Sequence, residues 1–545
     1  MLTPLFASAS LIFPYTSPKV FAFRTLVAIA AIFYFYLVLK YPNSFLPPLK
    51  KSLSRTRCGR GWGGFFELSV SIFLAVSFLS AIFGANFSLS FWGNLERGGG
   101  VWGLIHFVLF FWMLSSIFQK KEDWISLLKF SVGASALVSF LALVQKFASI
   151  SILIPQSERV FSTLGNSGFL AVYLIFNIFF AGYLMFRSLQ EAPSRPATAG
   201  RDGATRQPRY RIFAVYCFLF IVNCLALFFT GTRGALLGLL AGMLIFILLA
   251  VFLKPNQKLR RWVLGFLILI ILLAGSIFIF KNSSLIQQNY LLRRLTNISW
   301  QDNSVQSRVI LWQKSWQAWQ EKPILGWGPE NFEEALLKNF DAKLNAYEAW
   351  HDRAHNFIFD YGVTLGWLGL ASFLSIFGAV FYCLKKIAAN DFLFSAVFGS
   401  LLVAYLVQNL FGFDSFVSFL MLFFTLAMIE SVSLRAPLAA GRSNPADHRG
   451  GGLSSYKKFF LSIIILAVIF SLYFFNFKPL KAAYLTNEIL SLSPPESQKI
   501  PPLFKDALAL DTFALPEISY QTALDYLQKL NQGAAPDDNF FEYFD

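Results

Sequence analysis

The sequence predicts an all-α membrane protein: a polytopic bundle of about 12 to 13 transmembrane helices, a helical loop on one face and a short helical C-terminal tail. Its composition is the first reason, because 56% of the 545 residues are hydrophobic, 64 are Phe and only 14% are charged. The second reason is that apolar runs of roughly 18 residues, the length that crosses a bilayer, recur along the whole chain. Together these observations argue against a large soluble helical core.

The candidate spans follow one another with short polar connections. The first is short and ends at Pro14, so that a count without it is also compatible with the sequence. The spans cover residues 2–15, 20–40, 65–85, 101–118, 127–147, 166–186, 211–229, 234–253, 262–280, 356–384, 392–411, 414–432 and 457–476.

The loops between these spans alternate in charge. One set holds about 25 Lys and Arg residues, whereas the short loops of the opposite set hold about five. The positive-inside rule places the basic set in the cytoplasm, and the N-terminus with it. The formal net charge of +16 is thus explained by membrane orientation, and no nucleic-acid partner is predicted. The segments 86–100, 148–165, 230–233 and 281–355 and the C-terminal tail are then extracytoplasmic.

We divide the chain into a transmembrane domain, 1–476, which includes the long loop 281–355, and a tail, 477–545. Two cytoplasmic loops, 191–208 and 436–452, are rich in Pro, Gly and Ala and are predicted to be flexible linkers.

The tail shows helical apolar spacing over 479–492, 501–513 and 517–531. Its phrases are similar to a partial helical-hairpin repeat of the tetratricopeptide kind. Amphipathic helices resting on the membrane are the alternative.

Four arginines in the extracytoplasmic segments lie beside a glycine or a turn: Arg97, Arg159, Arg233 and Arg308. Arginine is always charged and its rigid donor fork fits phosphate oxygens, so several arginines in one pocket would suit a diphosphate. Arg233 is the most informative, because it lies in a tight turn where a new helix begins and a helix N-terminus favours an anion. An arginine whose side chain extends to the lipid headgroups is the alternative.

The long loop has internal order. Residues 307–320 place Trp312, Trp316 and Trp319 on one helical face, which indicates an interfacial belt or a packed cap. A second helix is predicted over about 330–346.

The loop ends in two histidines, His351 and His355, four residues apart. That spacing on a helix is compatible with zinc, but no third ligand is apparent and the four cysteines form no metal-binding pattern, so no metal site is predicted. His355 immediately precedes a span, and a neutral imidazole there can accept a proton from a hydroxyl. A helix-capping or interfacial histidine is the alternative.

Six phrases, in this order, cover most of residues 15–435. They are FWGNLERGGGVWGL at 91–104, VFSTLGNSGFLAVYL at 160–174, FTGTRGALLGLLAG at 229–242, SRVILWQKSWQAWQEKPILGWGPENF at 307–332, HNFIFDYGVTLGWLG at 355–369 and VQNLFGFD at 407–414. In this ordered set the sequence resembles the O-antigen ligase and polymerase-like family of membrane glycosyltransferases.

The resemblance implies an inverting, metal-independent transfer that uses no cofactor, at the outer face of the plasma membrane. The donor would be a glycan on a polyprenyl diphosphate, and the acceptor a hydroxyl on a lipid, a glycan or a protein. His355 would be the base, and Arg233 and Arg308 would bind the diphosphate and stabilise its charge as it leaves. Arg97 and Arg159 are further candidate diphosphate binders.

Several functions stay open at this point. The same phrases fit a ligase, a polysaccharide polymerase and a protein O-oligosaccharyltransferase. A transporter of lipid-linked glycans is a non-enzymatic alternative, although charges are scarce in the middle of the spans and no internal repeat is visible. A scaffold with an inactive site is a third alternative. The enzyme hypothesis requires Arg233, Arg308 and His355 to meet in one cavity.

Overall fold

A computed structural model describes residues 1–41, 63–190, 202–253, 279–296, 301–341, 351–433 and 453–533, together with Leu344, Phe540 and isolated positions between 261 and 276. Over these residues all named elements are helical, and one isolated bridge joins Ser151 and Ile154. Within the described part of the chain, ten helices are long and apolar enough to cross a membrane. The prediction of a polytopic helical bundle is therefore confirmed.

The helices are numbered in chain order. They are α1 Ser17–Lys40, α2 Gly63–Phe83, α3 Phe87–Trp92, α4 Val101–Ile117, α5 Lys121–Phe147, α6 Ser167–Gln190, α7 Asp202–Phe229, α8 Arg233–Leu253, α9 Ser284–Gln288, α10 Tyr290–Thr296, α11 Asn303–Glu321, α12 Phe332–Lys338, α13 Phe357–Ala388, α14 Phe392–Asn409, α15 Phe416–Ser433, α16 Ser455–Leu472, α17 Lys478–Ser491, α18 Ile500–Leu508 and α19 Leu515–Asn531.

Several predicted boundaries change. Residues 202–208 of the predicted linker 191–208 are helical, because α7 begins at Asp202, and residues 191–201 lie outside the described residues. The predicted helix over 330–346 is the shorter α12, which ends at Lys338. The candidate span 101–118 is the apolar helix α4, which is shorter than the ten long helices. Most of the candidate span 262–280 and the linker 436–452 lie outside the described residues.

Residues 2–15 do not cross the bundle, and the prediction of a span there is wrong. They contain one 3-10 turn, Thr3–Leu5, followed by further turns. The Pro4 carbonyl accepts a hydrogen bond from Thr163 Oγ1 at 2.8 Å, which joins this segment to the connection between α5 and α6. At the start of α1, Ser17 Oγ donates to the Leu95 carbonyl at 3.0 Å.

These contacts also correct the predicted topology. The segments 86–100 and 148–165 lie on the same side of the bundle as the long loop, and the N-terminal residues pack against both. The N-terminus therefore lies on the side that we assigned to the site, and its predicted placement on the opposite side is wrong. The apolar run failed as a span because it is too short for a bilayer and Pro14 interrupts it.

A glycine kink joins the long loop to the bundle. Gly366 has a φ of 67° inside α13, a conformation that only glycine adopts easily. The kink leaves the Val363 and Thr364 carbonyls without intrahelical partners, and they accept hydrogen bonds from the Trp327 and Gly328 amides at 2.9 and 2.8 Å. The loop between α11 and α12 is thereby fixed to α13 by backbone bonds.

The tail helices form a small cluster. Helix α16 passes through a π-helical turn, Tyr473–Phe477, directly into α17, so the chain has no break at the predicted domain boundary. Helices α17, α18 and α19 bury Ile489, Phe504 and Ile518 against one another and against Leu11 and Leu95. The helices predicted in the tail are thus present, and the assignment of the tail as a separate domain stays a prediction.

Candidate active site

The turn between α7 and α8 brings the first arginines together. Helix α7 ends at Phe229, Gly231 follows with a φ of 58°, and α8 begins at Arg233. Arg159 approaches from the connection between α5 and α6, and its Nε donates to the Thr230 carbonyl at 3.0 Å. This bond holds two segments that are far apart in sequence at one side of the bundle.

Arg233 connects this turn to the long loop. Its Nη1 donates to Asp302 Oδ2 at 2.9 Å, and its Nε donates to the Arg294 carbonyl at 2.8 Å. Asp302 directly precedes α11, the helix that carries Arg308. The ion pair is not fully buried, since 21% of the Arg233 side chain is exposed.

Helix α11 lies over the segment that carries the histidines. Trp312 Nε1 donates to the Ala354 carbonyl at 2.9 Å, and its ring stacks on Phe359. Trp319 is buried against α13, whereas 43% of Trp316 is exposed. The tryptophan stripe is thus a packed cap at two of its three positions.

His355 has an unusual backbone and an altered pKa. Its φ of 52° lies in the left-handed region, which costs a non-glycine residue about 1–3 kcal/mol. The helix-capping alternative is wrong, because the Asn356 side chain caps α13 by accepting a bond from the Ile358 amide at 2.9 Å.

Burial and the charge of Arg308 lower the pKa of His355 to about 4, although Asp352 acts in the opposite direction. The imidazole is therefore neutral near pH 7.

These side chains line one cavity of about 630 Å³. Its walls include residues of the membrane helices α6 and α8, namely Val172 and Leu237, and the aromatic residues Phe411 and Phe413. Its charged and titratable lining residues are Arg159, Arg233, Arg294, Arg308 and His355. Within the described part of the chain, no acidic side chain lines it.

Arg97 lies outside this cavity. It borders a neighbouring space of about 90 Å³, donates from Nη2 to Asp352 at 2.7 Å and stacks on the ring of Phe413 at 4.9 Å. Phe413 in turn contacts the His355 ring, with centroids 5.1 Å apart. The structure therefore brings together four of the five predicted site residues and places Arg97 behind the wall of the cavity.

Arg294 is a lining residue that the sequence analysis missed. It lies in the short helix α10, with no glycine or turn to mark it, and only its position in the long loop next to Arg293 was a signal. Burial lowers the pKa of Arg159, and the charges of Arg294 and Arg233 lower it further. Positive groups that repel one another across a cavity are stabilised by a bound anion.

The surroundings of the histidine pair are described in part. His351 is buried close to His355, and Glu348 lies outside the described residues. Among the residues that the structure describes, no group of three or more His, Cys, Asp or Glu side chains has a geometry that could hold a metal ion.

A family model described as O-antigen ligase matches residues 218–374. Over these residues the chain is similar to the O-antigen ligase family. The matched segment begins in α7 and ends in α13, and it contains Arg233, Arg294, Arg308 and His355. The match supports a membrane glycosyltransferase of the O-antigen ligase or polymerase type. No curated protein matches the chain.

The cavity extends beyond the matched segment. Arg159 reaches it from before α6, and Phe413 reaches it from the turn after α14. The arrangement can hold an anion against several guanidinium groups while a neutral imidazole stands at the same surface.

Proposed function

We propose that the protein transfers a glycan from a polyprenyl diphosphate carrier to an acceptor hydroxyl at the outer face of the plasma membrane. One observation supports this proposal above the others. A single cavity is lined by four guanidinium groups and one imidazole that is neutral near pH 7, and by no acidic side chain among the described residues. A diphosphate would supply negative charge to a lining that is predominantly positive.

The donor fits the cavity by charge and by position. Guanidinium groups bind phosphate oxygens through short charge-assisted hydrogen bonds. The cavity lies at the ends of membrane helices, and Val172 and Leu237 continue its wall along α6 and α8. A polyprenyl chain in the bilayer would therefore hold its diphosphate at the depth of Arg233 and Arg308.

The transfer would be a single displacement. The acceptor oxygen bonds to the anomeric carbon while its proton passes to the His355 imidazole. The bond from the anomeric carbon to the phosphate oxygen breaks, and its electron pair leaves with the diphosphate. Arg233 and Arg308 stabilise the charge that develops on this leaving group. One displacement inverts the anomeric configuration, and the step requires no metal.

Donor binding would also improve the base. A group whose pKa is about 4 is weak at neutral pH, because general bases work best near the operating pH. A diphosphate bound beside His355 favours the imidazolium form and so raises the pKa of His355. The imidazole would then become a stronger base only after the donor has arrived.

The enzyme hypothesis can be tested with purified protein in lipid nanodiscs and a polyprenyl diphosphate glycan. His355→Ala is expected to slow transfer by roughly 10²–10⁴-fold, the usual contribution of a general base, and to leave donor binding largely intact. Arg308→Ala is expected to weaken donor binding by about 10- to 100-fold. Transfer at the wild-type rate in both variants would favour the transporter or scaffold alternative.

The acceptor decides between ligase, polymerase and protein O-oligosaccharyltransferase. We propose the ligase, and mass spectrometry of surface glycoconjugates from a deletion strain tests it. Finished glycan that stays unattached to lipid supports the ligase. Unpolymerised repeats would indicate a polymerase, and protein without its glycan would indicate the protein-modifying enzyme.

A further inference from the structure

The segment 351–356, here called the histidine loop, is anchored at nearly every residue. The Ala354 carbonyl accepts a bond from Trp312, and the Ala354 amide donates to Asp360 Oδ1 at 3.4 Å. Asn356 caps α13. Between these anchors His355 keeps its left-handed backbone, which persists only where the surroundings hold it.

Arg353 is the strongest of the anchors. It forms ion pairs with Glu330 and, at 3.4 Å, with Asp360, and only 13% of its side chain is exposed. Glu330 is 5% exposed and also has a left-handed backbone, with a φ of 64°. Burial alone would lower the pKa of Arg353, but the charges of Glu330 and Asp360 outweigh it and raise that pKa. The loop is thus tied both to the turn before α12 and to the first turn of α13.

Arg97 anchors the other side of the loop. It pairs with Asp352 at 2.7 Å, and its guanidinium lies over the Phe413 ring, which contacts His355. Neither Arg97 nor Arg353 lines the large cavity, although both border the smaller one beside it. What separates them from Arg233, which also pairs with a carboxylate, is that they do not line the large cavity.

We propose that Arg353 and Arg97 are positioning residues, which hold the His355 imidazole at the wall of the cavity through Glu330, Asp360 and Asp352. Their role in transfer rests on the proposed function. Arg97 thereby receives a different role from the direct diphosphate contact suggested by its place in the sequence.

The protonation of the His355 imidazole can be measured without measuring glycan transfer. The groups whose charges act on His355 are Arg308, Asp352, His351 and Arg97. Arg353 is not among them, so a change in the pKa of His355 on its removal reports altered surroundings of the imidazole. A relaxed loop would admit water to the imidazole and raise its pKa from about 4 towards the ordinary value.

The experiment measures the reaction of His355 with diethyl pyrocarbonate against pH, by mass spectrometry of the full chain in nanodiscs. In the wild type the reaction midpoint is expected near pH 4. Arg353→Met is expected to move it towards about 6.5, and Glu330→Gln to move it in the same direction. Arg353→Lys, which keeps the charge, should restore part of the wild-type behaviour.

Glu321→Gln is the matched control, because it breaks an exposed pair with Lys338 in the same cap. It should leave the midpoint unchanged. An unchanged midpoint in a folded Arg353→Met protein overturns the proposal. If that variant does not fold, an unchanged midpoint in Glu330→Gln overturns the proposal instead.

Turnover supplies the second measurement. Arg353→Met is expected to lower the transfer rate by about 10- to 100-fold, as misplacement of a catalytic group does, while the Kd for farnesyl diphosphate changes less than about twofold. A parallel loss of diphosphate binding would make Arg353 a ligand and overturn the positioning role. A wild-type protein without transfer activity would refute the proposed function, whereas the histidine titration would still test the loop.

Discussion

His355 combines a strained backbone, a low pKa and a position at an arginine-lined cavity. These features depend on contacts with different parts of the chain, namely the N-terminal cap of α13, the guanidinium of Arg308 and the packing beneath α11. Strained residues persist where surrounding contacts over-determine them, and such positions cluster at functional sites. The residue scale is therefore where the catalytic hypothesis can be tested most directly.

The pH dependence of transfer should carry the signature of His355. The transfer rate at low donor concentration reports the ionisation of the donor-free protein. On acidification this rate is therefore expected to fall with a midpoint near pH 4, which we call the acid limb. At saturating donor the limb should lie at higher pH, because the bound anion raises the pKa of His355. If the acid limb at saturating donor lay at a lower pH than the acid limb at low donor concentration, the mechanism would be contradicted. Measurements on His355→Ala, which should lack this limb, are the control.

The same pKa predicts the direction of acid instability. The folded pKa of about 4 lies below the value of about 6.5 expected in the unfolded chain, so protons bind the unfolded chain more strongly. The contribution of neutral His355 to stability is complete above about pH 6.5 and decreases as the pH falls towards 4. Thermal unfolding of His355→Gln should therefore depend less on pH in this window than that of the wild type. An equal pH dependence in both proteins would contradict the lowered pKa.

Arg294 and Arg293 form a matched pair for testing the cavity. They are neighbours on α10 with the same charge, but Arg294 lines the cavity and Arg293 is exposed. Arg294→Ala should weaken binding of farnesyl diphosphate by about 10- to 100-fold, the usual effect of losing a charge-assisted hydrogen bond. Arg293→Ala should change it less than about twofold. Calorimetry in detergent measures both, and equal losses would mean that only the overall charge matters.

At the scale of elements, the kink of α13 determines where the long loop attaches. A Cβ on Gly366 would lie 2.3 Å from the Ile324 carbonyl oxygen, and its φ of 67° is unfavourable for other residues. Gly366→Ala is therefore expected to destabilise the protein by about 1–3 kcal/mol. Thermal unfolding in nanodiscs measures this change.

Gly378 lies in the same helix and provides the comparison. A Cβ there meets nothing within 4 Å, so Gly378→Ala should be neutral or stabilise by up to about 1 kcal/mol through its higher helix propensity. Similar effects of both substitutions on the unfolding temperature would show that the kink at Gly366 is not required.

At the scale of the whole molecule, the N-terminal residues and the cavity share one side of the membrane bundle. The hydrogen bonds of Pro4 and Ser17 place them there, and the turn between α13 and α14 lies at the other end. In a background without the natural cysteines, Ser10→Cys and Lys338→Cys should react with an impermeant maleimide from the same side. Asn390→Cys should react only after permeabilisation. Labelling of Ser10→Cys together with Asn390→Cys would contradict the structure.

Sequence patterns were sufficient wherever the physics is local. Apolar run length predicted most of the long helices, since a bilayer-spanning helix satisfies its own backbone hydrogen bonds and needs only about 20 apolar residues. Helical spacing likewise predicted α11 and the helices of the tail. The same rule failed at residues 2–15, where an apolar run instead packs under the tail through Leu11.

Contacts between distant residues required the folded chain. Arg97 and Arg159 look alike in sequence, each beside a loop that enters a helix, yet one pairs with Asp352 and the other lines the cavity. No neighbouring glycine or turn distinguishes Arg294 in the sequence. Which guanidinium groups line the open cavity depends on how segments more than a hundred residues apart pack together. The sequence shows which residues are charged, whereas the packing of distant segments determines which groups those residues contact.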